Sequence, residues 1–207
     1  MVKYGDTSIK KYLKDLASDM PAPGGGSASS VTAALGVSLL LMVANFTKGK
    51  KAYKGSEKTI QKEIKCLALF KRELENLIDE DVRAYTRLAR CLKQPKTFAK
   101  RDKCLKIALK DAAKVPLRIC EVSSLAMKSA VVLLNKGNRN LLTDVGCGAF
   151  FLAAAFDAGR LNVEINLKYI KDKKFNSGVR RTLNTKEKEV NAIKNGVSRA
   201  MRKSLKH

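Results

Sequence analysis

Histidine is almost missing from this sequence, since the only one among the 207 residues is His207, the last residue. A histidine-based catalytic triad, a histidine metal ligand and an imidazole general base are therefore not expected in the main fold. Acid–base chemistry would have to come from Asp, Glu, Lys, Tyr or Cys side chains.

The sequence contains cysteines, but neither their number nor their spacing indicates a disulfide framework. The five cysteines are odd in number, and no two lie at CxxC spacing; they are Cys66, Cys91, Cys104, Cys120 and Cys147. No secretory signal opens the sequence. We therefore expect free thiols in a reducing cytoplasm, most of them buried, and neither a disulfide framework nor a metal site.

Acidic residues are few, with 19 Asp and Glu against 42 Lys and Arg, so the formal net charge is +23. Such an excess attracts nucleic acid, a membrane surface or a polyanionic small molecule. The lysines are scattered through every segment, which also fits a lysine-rich solvated surface. Tryptophan is absent, aromatic residues make up 6% of the sequence, and no nucleic-acid recognition motif is visible. Nucleic acid on the basic surface is therefore an alternative partner and not the favoured one.

The longest stretch without charge runs from Pro21 to Thr47, and its first third consists of Pro, Gly, Ala and Ser. Its strongly apolar part, residues 31–46, is shorter than the roughly 20 residues that a bilayer needs. We therefore expect a buried core helix over Ser29–Phe46 and no membrane span. The three glycines before it allow a close backbone approach, and the free N–H groups of a helix start favour an anion. Neither a GxxxxGK[ST] phosphate loop nor a dinucleotide fingerprint after a strand is present.

Apolar residues recur at steps of three or four along most of the chain. This predicts an all-α fold, a multihelical bundle with a buried central helix and one long helix. Thr7 or Ser8 would cap a short first helix, and Ser56 would cap the long helix, which ends near Lys93. Further helices are expected from about Thr97 to Lys114, from Pro116 to Gly137, and from an N-cap at Thr143 or Asp144 to a stop at Gly159. We find no internal repeat and expect one domain over residues 1–207.

Two stretches near the C-terminus do not follow this pattern clearly. Residues 161–170 alternate like a strand, yet Asn162 and Asn166 would share one face of a helix. The basic stretch over residues 171–181 looks like a disordered loop before a last helix, for which Asn184 and Glu187 form a capping pair.

Three polar features stand out within the helical pattern. Asp144 lies at the entrance of a buried helix that contains glycine, where the helix dipole favours the ionised carboxylate; a plain N-cap is the alternative. Asp79 and Asp81 lie mid-helix beside Tyr85, and for at least one of them a solvated charged patch is favoured. Asn45, at the end of the apolar helix, needs a partner for its amide, which is either backbone or a ligand.

The motifs occur in an order that resembles the cyclodeaminase/cyclohydrolase family. They are PAPGGGSAS, MVANFTKGKKAY, a long helix with DEDVRAY, AAKVPL, GNRNLLTDVGCGA and LNVEINL, and the resemblance runs from about Ser8 to Leu205. The family includes the C-terminal domain of formiminotransferase-cyclodeaminase and stand-alone methenyltetrahydrofolate cyclohydrolases. This sequence departs from the family pattern at Thr143, where Ser is more usual, at Cys147, which replaces an aliphatic residue, and in its basic charge.

The resemblance implies an all-helical homodimer that binds folate in a cleft near these motifs, without a metal or a redox cofactor. It implies one of two activities. A methenyltetrahydrofolate cyclohydrolase gives 10-formyltetrahydrofolate, and a formiminotetrahydrofolate cyclodeaminase releases ammonia. Because no formiminotransferase domain is fused to this sequence, we favour the cyclohydrolase. A catalytically idle dimeric scaffold and a basic helical protein that binds nucleic acid are the alternatives from other classes.

The resemblance also implies roles for individual residues. Asp144 would be the catalytic base or the group that stabilises the cationic substrate. Asn45 and Tyr53 would orient the pterin or water. The glutamate tail, single or polyglutamylated, would be bound by Lys48, Lys50 and Lys51. The remaining substrate-binding residues would be Pro23, Gly24, Gly25, Gly26, Ser27, Asn140 and Asn162.

Overall fold

The computed structural model describes residues 2–95, 97 and 100–205, and in these ranges it contains helices and no β-strand. The α-helices of this part of the chain are α1 (Ile9–Leu16), α2 (Gly25–Thr47), α3 (Glu57–Lys93), α4 (Arg101–Lys136), α5 (Leu142–Tyr169) and α6 (Lys173–Ser204). Short 3₁₀ helices cover Tyr4–Asp6, Lys51–Ser56 and Arg139–Leu141. The predicted all-α fold with one long helix, α3, is confirmed.

The apolar helices α2 and α5 form the centre of the bundle, and α3, α4 and α6 pack around them. The two central helices touch backbone to backbone, since a Cβ added to Gly36 would lie 2.8 Å from the carbonyl oxygen of Gly148. The core around this crossing contains fully buried side chains from all five helices, among them Leu40, Leu67, Ile119, Leu133, Leu152, Phe156 and Leu183. The buried central helix predicted over residues 29–46 is confirmed, and it begins earlier, at Gly25.

The two central helices run antiparallel. Gly25, at the start of α2, lies against the side chain of Asn162 near the end of α5. At the other end, the hydroxyl of Thr47 accepts a hydrogen bond of 2.9 Å from the backbone N–H of Asn138, which precedes α5. Residues that start α2 therefore share one end of the bundle with residues that end α5.

By length and composition alone, α2 and the stretch Arg139–Tyr169 could each cross a membrane. Within the bundle, 50% of the apolar window of α2 and 44% of that of the second stretch are buried. The buried half of each helix packs against α3, α4 or α6, which carry many charged residues. Both helices therefore belong to the core of a helical bundle, and their remaining residues are half-buried or exposed.

The boundaries predicted for α4 and α5 are wrong, because tertiary packing overrides local signals. Pro116 does not open a helix but lies inside α4. Helix α5 begins at Leu142 without a side-chain cap, so Asp144 lies in its first turn and is not the N-cap. Gly159 does not end α5, since the ambiguous stretch that follows is helical to Tyr169. Instead, Gly159 allows a close contact with α4, where a Cβ would lie 2.8 Å from the sulfur of Cys120.

The predicted loop over residues 171–181 is mostly the first part of α6. The carboxylate of Asp172 caps this helix by accepting a hydrogen bond of 2.9 Å from the backbone N–H of Phe175. Asn184 and Glu187 therefore lie inside α6, where both contact Arg160, and they do not form a capping pair. At the start of α4, the predicted helical positions 98 and 99 lie outside the described residues.

Cys91 and Cys104 form a disulfide between the end of α3 and the first turn of α4, with Cα atoms 6.0 Å apart. The expectation of five free thiols is therefore wrong at these two positions. Cys66, Cys120 and Cys147 are free, but of these only Cys120 is buried, so the expectation that most of the thiols are buried is wrong as well. The cytoplasmic location, which depended partly on the thiols, stays a prediction.

Candidate functional site

A cavity of about 670 Å³ opens where the N-terminus of α2 meets α3, α4 and the end of α5. Its volume lies in the range of ordinary ligand pockets. Apolar side chains form much of its wall, and they are Leu88, Leu92, Leu105, Leu109 and Ile165. The polar and glycine part of the lining consists of Gly24, Gly25, Gly26, Tyr85, Tyr169, Asp81, Asn162 and Asn166, and Pro21, Ala22, Ala84 and Ala112 complete it.

Among the described residues, Asp81 is the one carboxylate that lines this cavity. It accepts a hydrogen bond of 2.9 Å from the backbone N–H of Ser27, in the first turn of α2. The carboxylate presses against Gly26, because a Cβ there would lie 2.1 Å from Oδ1 of Asp81. Burial raises the pKa of Asp81 to about 6, while the hydrogen bond from Ser27 acts in the opposite direction. Asp81 can therefore take up and release a proton near neutral pH, as a general acid–base group must.

The N-terminal segment supports this arrangement from outside the cavity. The hydroxyls of Tyr12 and Ser27 lie 3.2 Å apart in a buried hydrogen bond. The ring of Tyr12 packs edge-on against Tyr4, with 5.6 Å between the ring centroids. The backbone N–H of Tyr4 in turn donates to Asp79 over 2.6 Å. Asp79 thus anchors the N-terminal segment, whereas Asp81 faces the cavity.

The two asparagines present acceptors to the cavity. Asn162 packs against Gly25, where a Cβ would lie 3.1 Å from Nδ2. The amide nitrogen of Asn162 donates to the carbonyl of Ala158 at 2.8 Å, and that of Asn166 donates to backbone carbonyls as well. Their side-chain oxygens are left as acceptors, and both residues line the same cavity as Asp81. Such a site favours a ligand that carries N–H donors or positive charge.

The sequence-predicted residues separate into two groups within one chain. Gly24, Gly25, Gly26 and Asn162 line the cavity, Ser27 holds Asp81 through its N–H, and Pro23 is buried immediately before this turn. The second group lies at the opposite end of α2 and α5 and consists of Asn45, Lys48, Lys50, Lys51, Tyr53, Asn140 and Asp144. Since 18 residues of α5 separate Asp144 from Asn162, the two lie roughly 27 Å apart along the helix.

The second group has contacts of its own. The hydroxyl of Tyr53 accepts a hydrogen bond of 3.0 Å from the backbone N–H of Arg139. Asn140 donates its backbone N–H to the side chain of Asn138 over 3.1 Å. The first contact joins the loop after α2 to the loop before α5, and the second lies within the loop before α5. In a single chain they place none of this group in the cavity at Asp81.

Asp81 and Asn166 were not predicted as site residues. Asp81 follows Leu77 and Ile78 by four and three residues, so it occupies the buried face of α3. A carboxylate in the register of an apolar stripe was the signal that could have identified it. For Asn166 the signal was the helical face that it shares with Asn162.

The fold and the cavity define an all-helical protein with a small-molecule site built around one half-buried carboxylate. A family model described as formiminotransferase-cyclodeaminase matches residues 8–185, and the chain belongs to this family.

Three similar proteins illustrate the family. A methenyltetrahydrofolate cyclohydrolase from Methylorubrum extorquens is 33% identical over 175 residues, which are 83% of this chain and 84% of that protein. The formimidoyltransferase-cyclodeaminase of Mus musculus is 32% identical over 174 residues, and the chain spans only 32% of its length. The crystal structure of a formiminotetrahydrofolate cyclodeaminase from Thermotoga maritima superposes with a TM-score of 0.90 at 28% identity, over 97% of this chain and 98% of that one.

Proposed function

We propose that this protein is a folate one-carbon enzyme that hydrolyses 5,10-methenyltetrahydrofolate to 10-formyltetrahydrofolate, with the cavity at Asp81 as its active site. The observation that carries the proposal is the half-buried carboxylate of Asp81, held by the N–H of Ser27 in a largely apolar cavity. The cyclohydrolase from Methylorubrum extorquens, which matches along most of both chains, supports this choice of reaction.

The chemistry of the reaction fits such a carboxylate. The substrate is an amidinium cation, which an ionised carboxylate stabilises in a cavity of low dielectric. Asp81 would accept a proton from water as the water oxygen adds to the bridging carbon. The adduct collapses when its bond from carbon to N5 breaks, N5 takes up a proton and the adduct hydroxyl loses one. One proton leaves overall, because the cationic substrate becomes a neutral formamide. The carbon is neither oxidised nor reduced, so the proposal includes no redox cofactor.

A second candidate is the cyclodeaminase reaction, in which N10 attacks the formimino carbon and ammonia leaves. The close superposition with the Thermotoga maritima protein favours it, since that chain has a similar length and is named a cyclodeaminase. The same carboxylate would serve as the base near N10 or the acid near the leaving nitrogen.

Two parallel assays test the proposal. One follows the loss of methenyltetrahydrofolate absorbance, and the other follows ammonia release from formiminotetrahydrofolate. We expect rapid loss of methenyltetrahydrofolate that depends on Asp81. If only the formimino compound is turned over, the proposed reaction is the cyclodeaminase reaction and not the cyclohydrolase reaction. Turnover of neither at saturating folate would overturn both.

We further propose that the protein is a homodimer through the apolar face shared by α2 and α5. Leu35 and Phe46 of α2 are 50% and 55% exposed, and Phe150 and Phe151 of α5 are also exposed. Exposed apolar surface of this kind is typical of an interface. A second copy is the proposed occupant, because the opposite faces of both helices are already packed in the core and could not leave it for a bilayer.

The dimer would also explain why the predicted residues lie in two groups. An isologous interface with its two-fold axis across the middle of α2 places the N-terminus of one α2 near the C-terminus of the other. The carboxylate of Asp144 and the cations of Lys48, Lys50 and Lys51 would then approach the partner's cavity. In this arrangement Asp81 and Asp144 of different copies serve one active site, and the lysines receive the anionic glutamate tail.

A further inference from the structure

Pro116 leaves a backbone carbonyl of α4 without its ordinary partner. In an α-helix the carbonyl of residue 112 accepts from the N–H of residue 116, and proline has no N–H. Pro116 nevertheless lies inside the continuous helix Arg101–Lys136. The carbonyl of Ala112 is occupied instead by Nδ2 of Asn166, at 3.1 Å. The missing donor of α4 is thus replaced by a side chain from α5.

The same amide group makes a second bond, because Nδ2 of Asn166 also donates to the carbonyl of Asn162 at 2.7 Å. Both N–H groups of the amide are therefore used. Backbone carbonyls only accept hydrogen bonds, so these two contacts also decide which amide atom is nitrogen and which is oxygen. The remaining atom, Oδ1, is an acceptor whose direction is fixed by two carbonyls.

Asn166 and Ala112 both line the cavity that holds Asp81. The substrate proposed above carries a reduced pterin, whose N3, N8 and 2-amino groups are N–H donors. Asn166 presents no N–H of its own to such a ring, because its N–H groups are bonded within the protein. Asn166 is half-buried, and an acceptor with a fixed direction favours a ring position that carries an N–H over one that does not.

We propose that Asn166 orients the substrate by accepting a hydrogen bond from an N–H group of the pterin, and that Pro116 is a positioning residue that acts through Asn166. Pro116 frees the carbonyl of Ala112, this carbonyl holds the amide, and the amide oxygen binds the ring. The inference rests on the proposed folate function but not on which of its two reactions takes place.

Asn176 provides a matched control. Its Nδ2 likewise donates to two backbone carbonyls, those of Leu167 and Ile170, at 3.3 and 2.8 Å. Asn176 does not line the cavity at Asp81. Asn176→Ala therefore removes the same type and number of bonds as Asn166→Ala without removing a cavity acceptor.

The test compares Asn166→Ala, Pro116→Ala, the double variant and Asn176→Ala by turnover and by calorimetric binding of 5-formyltetrahydrofolate. We expect Asn166→Ala to raise KM and weaken binding about three- to tenfold, the effect of one hydrogen bond. Pro116→Ala restores an N–H to α4 and should weaken binding less, at equal or higher melting temperature. The double variant should bind like Asn166→Ala alone, because Pro116 acts through that amide. Asn176→Ala should lower the melting temperature and leave KM unchanged.

Different results overturn different statements. If the wild type turns over folate and Asn166→Ala has the same KM as the wild type, the role of Asn166 is overturned and the proposed function stays intact. Additive losses in the double variant would overturn the role of Pro116. If the wild type shows no turnover and binds no folate, both the proposed function and the inference are overturned.

Discussion

Asp81 couples the proposed chemistry to the stability of the fold. Burial raises the pKa of this carboxyl to about 6 from an ordinary 3.8, so the folded state binds its proton more tightly than the unfolded state. The stabilisation is complete below about pH 4 and is lost as the pH rises through about 6. At neutral pH the ionised group costs about 2 to 3 kcal/mol of folding free energy. An ionisable group that destabilises the fold in this way is typical of a functional site.

Asp81→Asn should separate the two effects. We expect kcat/KM at neutral pH to fall at least ~100-fold, the typical contribution of a general acid–base group. The melting temperature should rise above pH 6, and this gain should disappear below about pH 4. In the wild type, kcat/KM should increase with pH through about 6, because the base must be ionised. Asp79→Asn is the control, since Asp79 binds Tyr4 outside the cavity and its loss should leave the pH profile unchanged. Equal activity losses in both variants would contradict the assignment.

Gly26 determines whether Asp81 can occupy its position. Gly26→Ala places a Cβ 2.1 Å from Oδ1 of Asp81, so the carboxylate must move away from the N–H of Ser27. We expect kcat/KM to fall about 10- to 100-fold, because a misplaced catalytic group loses effective orientation. Gly196→Ala in α6 is the control, since nothing lies within 4 Å of its Cβ. A fully active Gly26→Ala enzyme would show that the carboxylate position is not critical.

At the scale of helices, the crossing of α2 and α5 depends on two glycines. A Cβ on Gly36 would lie 2.8 Å from the backbone oxygen of Gly148, and neither backbone can give way without moving a helix. We expect Gly36→Ala to destabilise the fold by about 1–3 kcal/mol through overpacking. Gly178→Ala, in an open part of α6, should instead stabilise it by about 0.5–1 kcal/mol. Denaturant unfolding measures both, and a neutral Gly36→Ala would contradict the close crossing.

The Cys91–Cys104 disulfide closes the connection between α3 and α4. Its sequence separation is 13 residues, and opening a loop of this size removes about 3 kcal/mol of chain-entropy stabilisation. A dithiol reductant should therefore lower the unfolding midpoint of the wild type, and binding should weaken because the adjacent Leu92 and Leu105 line the cavity. The Cys91→Ser/Cys104→Ser variant should not respond to reductant, whereas Cys147→Ser should respond like the wild type. An unresponsive wild type would contradict a structural role for the bond.

Local signals predicted helices well where apolar periodicity and boundaries agreed. Ser8 caps α1 as expected by accepting the N–H of Lys11, and the periodic run to Lys93 is the long α3. Gly159 and Pro116 were misread as boundaries because each is used for a contact between helices, which no local pattern encodes. The disulfide was missed for the same reason, since its cysteines become neighbours only when α3 and α4 pack side by side.

The candidate site was only partly predictable for a similar physical reason. The glycine run indicated a close approach, but the approaching group, Asp81, lies 55 residues after Gly26 and is selected by the rotation of α3 against α2. Asn162 was predicted, whereas the anchoring of Asn166 depends on a carbonyl from α4. Asp144 stays a prediction, because one chain does not bring it to the cavity.

At the scale of the whole molecule, charge and apolar surface act against each other. Each chain carries a formal charge of +23, so two copies repel each other at low ionic strength. The exposed apolar face of α2 and α5 must outweigh this repulsion for a dimer to form. Salt screens the repulsion and strengthens apolar burial, so moderate salt should favour assembly and low salt should ease subunit exchange.

Subunit exchange between two inactive variants tests whether the active site is shared. If Asp81 of one chain and Asp144 of the other form one site, Asp81→Asn and Asp144→Asn are each inactive as homodimers. A mixed dimer then contains one site with both carboxylates intact and one site with neither. Random exchange of equal amounts should restore about one quarter of wild-type activity, since half of the dimers are mixed and each has one working site of two.

The controls for this experiment fix its interpretation. Light scattering must show dimers. Mixing Asp81→Asn with Gly26→Ala should add no activity beyond that of Gly26→Ala itself, because both substitutions damage the same part of the site, where Asp81 of α3 meets the start of α2. If the two carboxylates belonged to one chain, the Asp81→Asn and Asp144→Asn mixture would stay inactive as well. If Asp144→Asn alone kept wild-type turnover, the carboxylate at the start of α5 would have no part in catalysis. The cavity at Asp81 would then be complete within one chain, and the apolar face would only hold the subunits together.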